Sequence, residues 1–135
     1  MRTAGELARL LDKELTGLVI VNEPAQVECG APDFVALRNK VPIGHIEAKD
    51  LGVPLDEVAE SEQLRRYRAG LPNLLLTNYV DFVWFVEGEE RRRVTIAKRG
   101  KAKTALIRSS AAYPDLEALF GEFAAEVSED VCARY

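Results

Sequence analysis

Cysteine is scarce in this 135-residue chain, and Cys29 and Cys132 stand apart from each other. Neither belongs to a CxxC pair or has a histidine nearby. That pattern excludes a cysteine-based zinc site and a disulfide framework, and fits free thiols in a reducing cytosol. Long apolar runs are missing too. None approaches the roughly 20 residues that span a bilayer. The opening MRTAGELARLLDKEL carries acids inside its apolar pattern and lacks the apolar core of a signal peptide. The expectation is a cytoplasmic protein with no membrane contact. There are no internal repeats, no low-complexity tracts and no phosphate-cradling glycine loop, so the chain does not hydrolyse ATP. A positive net charge is absent as well: the formal value is −4, which argues against a strong autonomous nucleic-acid binder.

What is present is an ordinary globular composition, 47% hydrophobic and 30% charged, in a chain long enough for one domain with a real core. The distribution of charge says more than its sum. From Arg91 to Arg108 there are eight cations and no acid: Arg91, Arg92, Arg93, Lys98, Arg99, Lys101, Lys103 and Arg108. The other ten cations face 22 acids, a net of −12. The basic segment is either an electrostatic footprint for phosphates or a solvated strand and loop.

Residues 3–15 place Leu7, Leu10, Leu11 and Leu15 at helical spacing, with Thr3 and Glu6 forming a capping box and Gly17 as the stop. Leu18–Asn22 and Ala25–Cys29 read as strand pieces around Pro24, with Glu23 at the kink. A helix is expected from Asp56 to about Ala69, with Asp56, Glu60, Gln63 and Tyr67 on one stripe. The run at residues 73–78 (NLLLTN) suits a central strand buried on both faces and reached by a crossover. Residues 81–87 and 92–97 read as a strand hairpin turning at 88–90. Trp84 and Phe85 are most economically core residues. The expected organisation is a single domain over 1–135: a core of about 1–97, a basic loop at 98–112 and a helix over 113–130. In that helix Leu116, Leu119, Phe120, Phe123 and Val127 form an apolar stripe.

The chemistry concentrates between Gly30 and Lys49. Pro32-Asp33 leads into an apolar segment that breaks at Arg38-Asn39-Lys40, and a second segment from Val41 ends in Glu47-Ala48-Lys49. The break reads as a hairpin turn that brings the Glu47–Lys49 end back to Asp33. Alternation sets Ile43, His45, Glu47 and Lys49 on one face and Gly44, Ile46 and Ala48 on the other. Two carboxylates and a backbone carbonyl suit Mg²⁺, which prefers hard oxygens and keeps several waters. A lysine beside them can orient water and stabilise developing negative charge. The plainer alternative is a turn aspartate and an exposed ion pair.

Pro32-Asp33 and Glu47-Ala48-Lys49 resemble the PD-(D/E)XK metal-dependent nucleases. Gln63 and Tyr67 match the Q-x-x-x-Y element of that superfamily's recombination-exonuclease branch. More narrowly, GAPDF, IGHIEAKD, QLRRY, NLLLTN and DFVWF resemble the N-terminal nuclease domain of single-chain restriction–modification enzymes, which carry helicase and methyltransferase modules after it. The resemblance covers about residues 1–97, and His45 stands where it would lead one to expect an aromatic such as Tyr. It implies an α/β fold, a restriction-endonuclease-like sandwich with a central mixed β-sheet flanked by helices. It also implies Mg²⁺-dependent DNA hydrolysis, with Mn²⁺ able to substitute, as the cleavage module of a restriction or phage-defence system. Asp33, Glu47 and the Ala48 carbonyl would hold the metal, with Glu6 a further candidate and Glu14 another. Lys49 would handle the water. Gln63 would bond near Lys49 or the phosphate, and Tyr67 would contact the scissile backbone or hold Gln63. Arg65, Arg66, Arg91, Arg93, Lys98, Arg99, Lys101 and Lys103 are the candidate DNA contacts, with helicase or methyltransferase modules as partners. Two other readings stand beside it: a nucleic-acid-binding relative without catalysis, and an interaction domain with no nucleic-acid role.

Overall fold

A computed structural model describes residues 18–22, 32–99, 106–108 and 110–126. Among these residues six strands form one mixed sheet in chain order: β1 (Leu18–Asn22), β2 (Phe34–Arg38), β3 (Val41–Ala48), β4 (Asn73–Thr77), β5 (Asp81–Val86) and β6 (Glu89–Thr95). Every neighbouring pair is antiparallel except β3 and β4. A parallel pair needs a crossover connection, and here it carries helices α1 (Leu55–Ala59) and α2 (Glu62–Gly70). After β6 come a two-stranded ribbon, β7 (Ala97–Arg99) with β8 (Leu106–Arg108), a 3₁₀ turn over Ser110–Ala112 and helix α3 (Tyr113–Ala125). Among the described residues no helix is long and apolar enough to cross a membrane.

The β2–β3 hairpin pairs Arg38 with Val41, leaving a two-residue loop. Asn39 and Lys40 both take left-handed φ, 50° and 69°, as a type I′ turn requires. Strand β4 is buried on both faces. Leu74 and Leu76 join Val83, Phe85, Leu64 and Tyr67 under α1 and α2. Leu75 joins Phe82, Trp84 and the α3 stripe of Leu116, Leu119, Phe120 and Phe123 on the opposite side. Phe82 and Phe120 meet edge to face, 5.5 Å between centroids.

Buried Asn73 locks α3 to the sheet. Its Nδ2 donates to the Ile43 and Phe123 carbonyls, both at 2.9 Å, and its Oδ1 accepts from Trp84 Nε1 at 2.6 Å. A Cβ on Gly44 would lie 2.7 Å from Asn73 Nδ2 and 2.8 Å from the Phe123 ring, so only glycine fits there.

The structure departs from the sequence expectations in four places. The helix expected over 56–69 is two helices, because Ser61 starts a new one: its hydroxyl accepts from Leu64 N at 3.3 Å and donates to Val58 O at 2.7 Å. Asp56 and Glu60 therefore leave the stripe of Gln63 and Tyr67. The 98–112 region is no plain loop, since it supplies part of β7, all of β8 and a 3₁₀ turn. The β5–β6 turn falls at Glu87–Gly88, where both residues have positive φ (51° and 84°), so β6 starts and ends earlier than expected. In β3, a bulge opposite Ala36/Leu37 sets Ile43 among the α3-side residues with Ile46, away from the face of His45 and Glu47. The expected helix over 3–15 with Glu6 and Glu14, Glu23, the piece at 25–29, Cys29, Lys101, Lys103, Cys132 and the end of the C-terminal helix lie outside the described residues.

Candidate active site

The site forms where β2 begins and β3 ends. Phe34 pairs with Ile46, so Asp33, one step outside the ladder, falls opposite Glu47. The two strands clasp each other there. The Asp33 N–H donates to Glu47 Oε1 at 3.0 Å, and the Ala48 N–H donates to Asp33 Oδ2 at 2.9 Å. Lys49 leaves the strand with its N–H on the Thr77 carbonyl at 2.8 Å. Its Nζ lies 3.0 Å from Glu47 Oε2 and donates to Gln63 Oε1 on α2, also at 3.0 Å. Asp33, Glu47, Lys49 and Gln63 thus form one connected cluster, with Ala48 in its frame.

The cluster is charged and partly dry. The Glu47 side chain is 5% exposed and that of Lys49 27%. Burial pushes the Glu47 carboxyl above its ordinary pKa and the Asp33 charge pushes it further, while Lys49 and the Asp33 N–H pull the other way. Two carboxylates crowded together with one ammonium leave negative charge that a divalent cation would offset. Among the described residues no group of three or more His, Cys, Asp or Glu gathers to hold a metal. A cation here would therefore rely on two carboxylates, a backbone carbonyl and water. That donor set fits Mg²⁺, which binds through one or two carboxylates and keeps its waters.

Tyr67 is buried, 3% exposed, in the cluster beneath α2. That placement suits a support for the helix carrying Gln63 and argues against contact with a scissile strand. His45 is fully buried, in register with Val35 and Leu74, on the sheet face that carries Glu47. Asn78 escaped the sequence reading. Its Oδ1 accepts from the Val80 and Asp81 N–H groups at 3.0 and 2.7 Å, and its Nδ2 donates to the Val53 carbonyl at 2.8 Å. An Asn three residues before Asp, between two apolar runs, is the sequence signal of such an Asx turn.

A family model describing the N terminus of the type I restriction enzyme R protein matches residues 19–102. The chain belongs to this family. The matched span contains Asp33, Glu47, Lys49, Gln63 and Tyr67, and membership makes this a restriction-system domain of the PD-(D/E)XK nuclease type. Among solved structures, a cryoEM structure of a DrdV–DNA complex is similar at TM-score 0.62 and 21% identity, over 92% of this chain. At that identity the likeness establishes the restriction-endonuclease-like fold. The chain spans 11% of the length of that protein. No curated protein matches the chain significantly.

In this member of the R-protein N-terminal family, the cations expected at DNA do not share one surface. Arg91 lies over the Trp84 ring, 5.7 Å from its centroid, on the α3 side of the sheet. Arg93 turns to the other side, bonding Asp56 at 2.7 Å and Glu90 at 2.9 Å. A single footprint through Arg91 and Arg93 is thereby ruled out. Two residues apart in a regular strand they would share a face; the bulge opposite Trp84/Phe85, where Arg91 is the unpaired extra residue, breaks that alternation. Arg65 and Arg66 project from α2, 68% and 58% exposed, beside Glu60 and Glu62. Lys98 and Arg99 belong to β7.

Proposed function

We propose that this domain is a Mg²⁺-dependent DNA endonuclease, with Mn²⁺ able to replace Mg²⁺, and the cleavage module of a restriction or phage-defence system. The observation that carries the reading is the Lys49 ammonium held 3.0 Å from both Glu47 and Gln63, beside the Asp33 carboxylate. A surface ion pair would not need a buried glutamate, a strand clasp and a helix-borne amide to hold it.

Asp33 and Glu47 supply carboxylate oxygens for the cation, with the Ala48 carbonyl beside them. Bound there, Mg²⁺ would neutralise phosphate charge and acidify water. Lysine has three N–H donors. Glu47 and Gln63 occupy two, which leaves the third for the attacking water or a phosphate oxygen. Gln63 fixes the direction of that donor, and an ammonium already in place costs little reorganisation as charge develops. Tyr67, packed under α2, holds the helix that presents Gln63. Arg65 and Arg66 are the exposed cations on that same helix and serve as phosphate contacts, with Lys98 and Arg99 on β7 as a second group.

The acidic net charge, with only a modest basic segment to offer DNA, and the small share of the DrdV chain that this domain spans support helicase or methyltransferase modules as partners, in the same polypeptide or as separate chains. The test is nicking of supercoiled plasmid with Mg²⁺, with EDTA, and with Asp33→Ala as control. Nicking that needs the metal and Asp33 supports the reading. Wild type without nicking activity in either Mg²⁺ or Mn²⁺ would sink it.

A further inference from the structure

Three large apolar residues stand exposed among the described ones: Val19, Val41 and Leu51, at 49%, 47% and 58%. Val19 and Val41 lie at the hairpin end of the sheet, opposite Leu37 and Arg38. Leu51 is at the other end, two residues past Lys49, so its Cα lies within about 7.6 Å of that of Lys49. It tops a closed turn. The Val53 N–H donates to the Asp50 carbonyl at 3.1 Å, and Gly52 takes φ 88°, the pattern of a type II turn.

Both flanks of the turn are fastened to the end of β4. Before it, the Lys49 N–H is on the Thr77 carbonyl; after it, the Val53 carbonyl is on Asn78 Nδ2, each at 2.8 Å. Asn78 is itself held by two main-chain donors. A leucine fixed in this way in water is preorganised for contact, since little freedom is lost on binding.

We infer that the Asp50–Val53 turn is a DNA-contact element whose tip, Leu51, packs against the deoxyribose beside the scissile phosphate. The inference rests on the nuclease reading: Leu51 follows Lys49 by two residues on an exposed turn, so a strand whose phosphate met Lys49 Nζ would bring a neighbouring sugar near this tip. Apolar side chains meet DNA at base edges and between base steps, and the carbon face of a deoxyribose offers the same kind of uncharged surface. Because this contact touches no phosphate, it releases no counterion. It therefore differs from an arginine contact in a measurable way.

The experiment compares wild type and Leu51→Ala for binding of a labelled duplex in Ca²⁺ at several salt concentrations, with cleavage read separately in Mg²⁺. Leu51 is exposed, so the variant keeps its melting temperature. The expected result is about five- to tenfold weaker binding, with an unchanged slope of affinity against salt. Equal affinity overturns the inference. So does equal affinity joined to reduced self-association in sedimentation, which would assign Leu51 to an interface between copies of the chain. A flattened slope would likewise overturn it, because Leu51 would then be acting through phosphate. Wild type that binds but never cuts refutes hydrolysis and leaves the sugar contact standing. Wild type that does not bind refutes both.

Discussion

Lys49 and Gln63 are joined across two layers of the fold: Nζ at the end of β3 donates to Oε1 on α2 at 3.0 Å. The bond connects a sheet edge to a helix covering it, and it restrains a long, flexible side chain that Glu47 alone would hold loosely. Gln63→Ala leaves Lys49 with Glu47 alone. Turnover should fall about tenfold, the worth of one hydrogen bond to a charged group, with metal affinity retained. Lys49→Ala should cost about a hundredfold, again with metal binding kept. Single-turnover nicking and metal titration measure both. An unaltered rate in Gln63→Ala would assign the amide a purely structural role.

Glu47 supplies a pH signature. Its pKa is raised in the fold by burial and by Asp33, so the folded state holds the proton more tightly than the unfolded one. The stabilisation this gives is complete below the ordinary carboxylate pKa and is lost as pH rises through the raised folded value. At neutral pH and without metal, Glu47→Gln should melt at or above the wild-type temperature, with the difference closing as the pH is lowered. Added Mg²⁺ should raise the melting temperature of wild type only. A variant less stable than wild type throughout the pH range would mean that the Lys49 pair outweighs the burial cost.

Asn73 predicts a stability defect without a direct chemical one. Its side chain makes three buried hydrogen bonds, to Ile43, Phe123 and Trp84. Asn73→Ala leaves all three partners unsatisfied and should cost about 3 kcal/mol. Gly44→Ala forces a Cβ to within 2.8 Å of the Phe123 ring and should cost about 1–3 kcal/mol. Urea denaturation reads both. A loss well below ~1 kcal/mol in either would show that α3 can shift on the sheet.

The charge distribution separates two sets of cations. Arg93 is paired with Asp56 and Glu90, so Arg93→Ala should leave the salt dependence of DNA binding unchanged. Reversing Lys98, Arg99 and Lys101 to Glu should weaken binding at every sequence. It should also flatten the salt slope by about one unit for each phosphate no longer neutralised. Binding isotherms at several salt concentrations decide between them. A flattened slope in Arg93→Ala, with none in the triple variant, would move the phosphate-binding cations to β6.

Local sequence determined several features of this domain because the interactions behind them are local. Pro32-Asp33 and Glu47-Ala48-Lys49 flank a two-residue hairpin, which returns one end to the other, while the bulge at Ile43 shifts the register by one so that Asp33 meets Glu47 and not Ile46. The five buried residues of β4 had to be covered on both faces, since no strand of that composition tolerates water on either side. The α3 stripe follows from helical periodicity in the same way.

Ser61 marks the limit of such reading. A periodic pattern runs through it, and the helix breaks there because its hydroxyl caps a new start. Tertiary structure alone decided which charges are spent on each other. Arg93 meets Asp56 from 37 residues away and Arg92 meets Glu122 from 30, so cations adjacent in sequence end on opposite faces. It also decided that Lys49 would find Gln63, 14 residues away, and that Asn78 would hold the turn bearing Leu51. Electrostatic pairing acts through space, and only the folded sheet sets those distances.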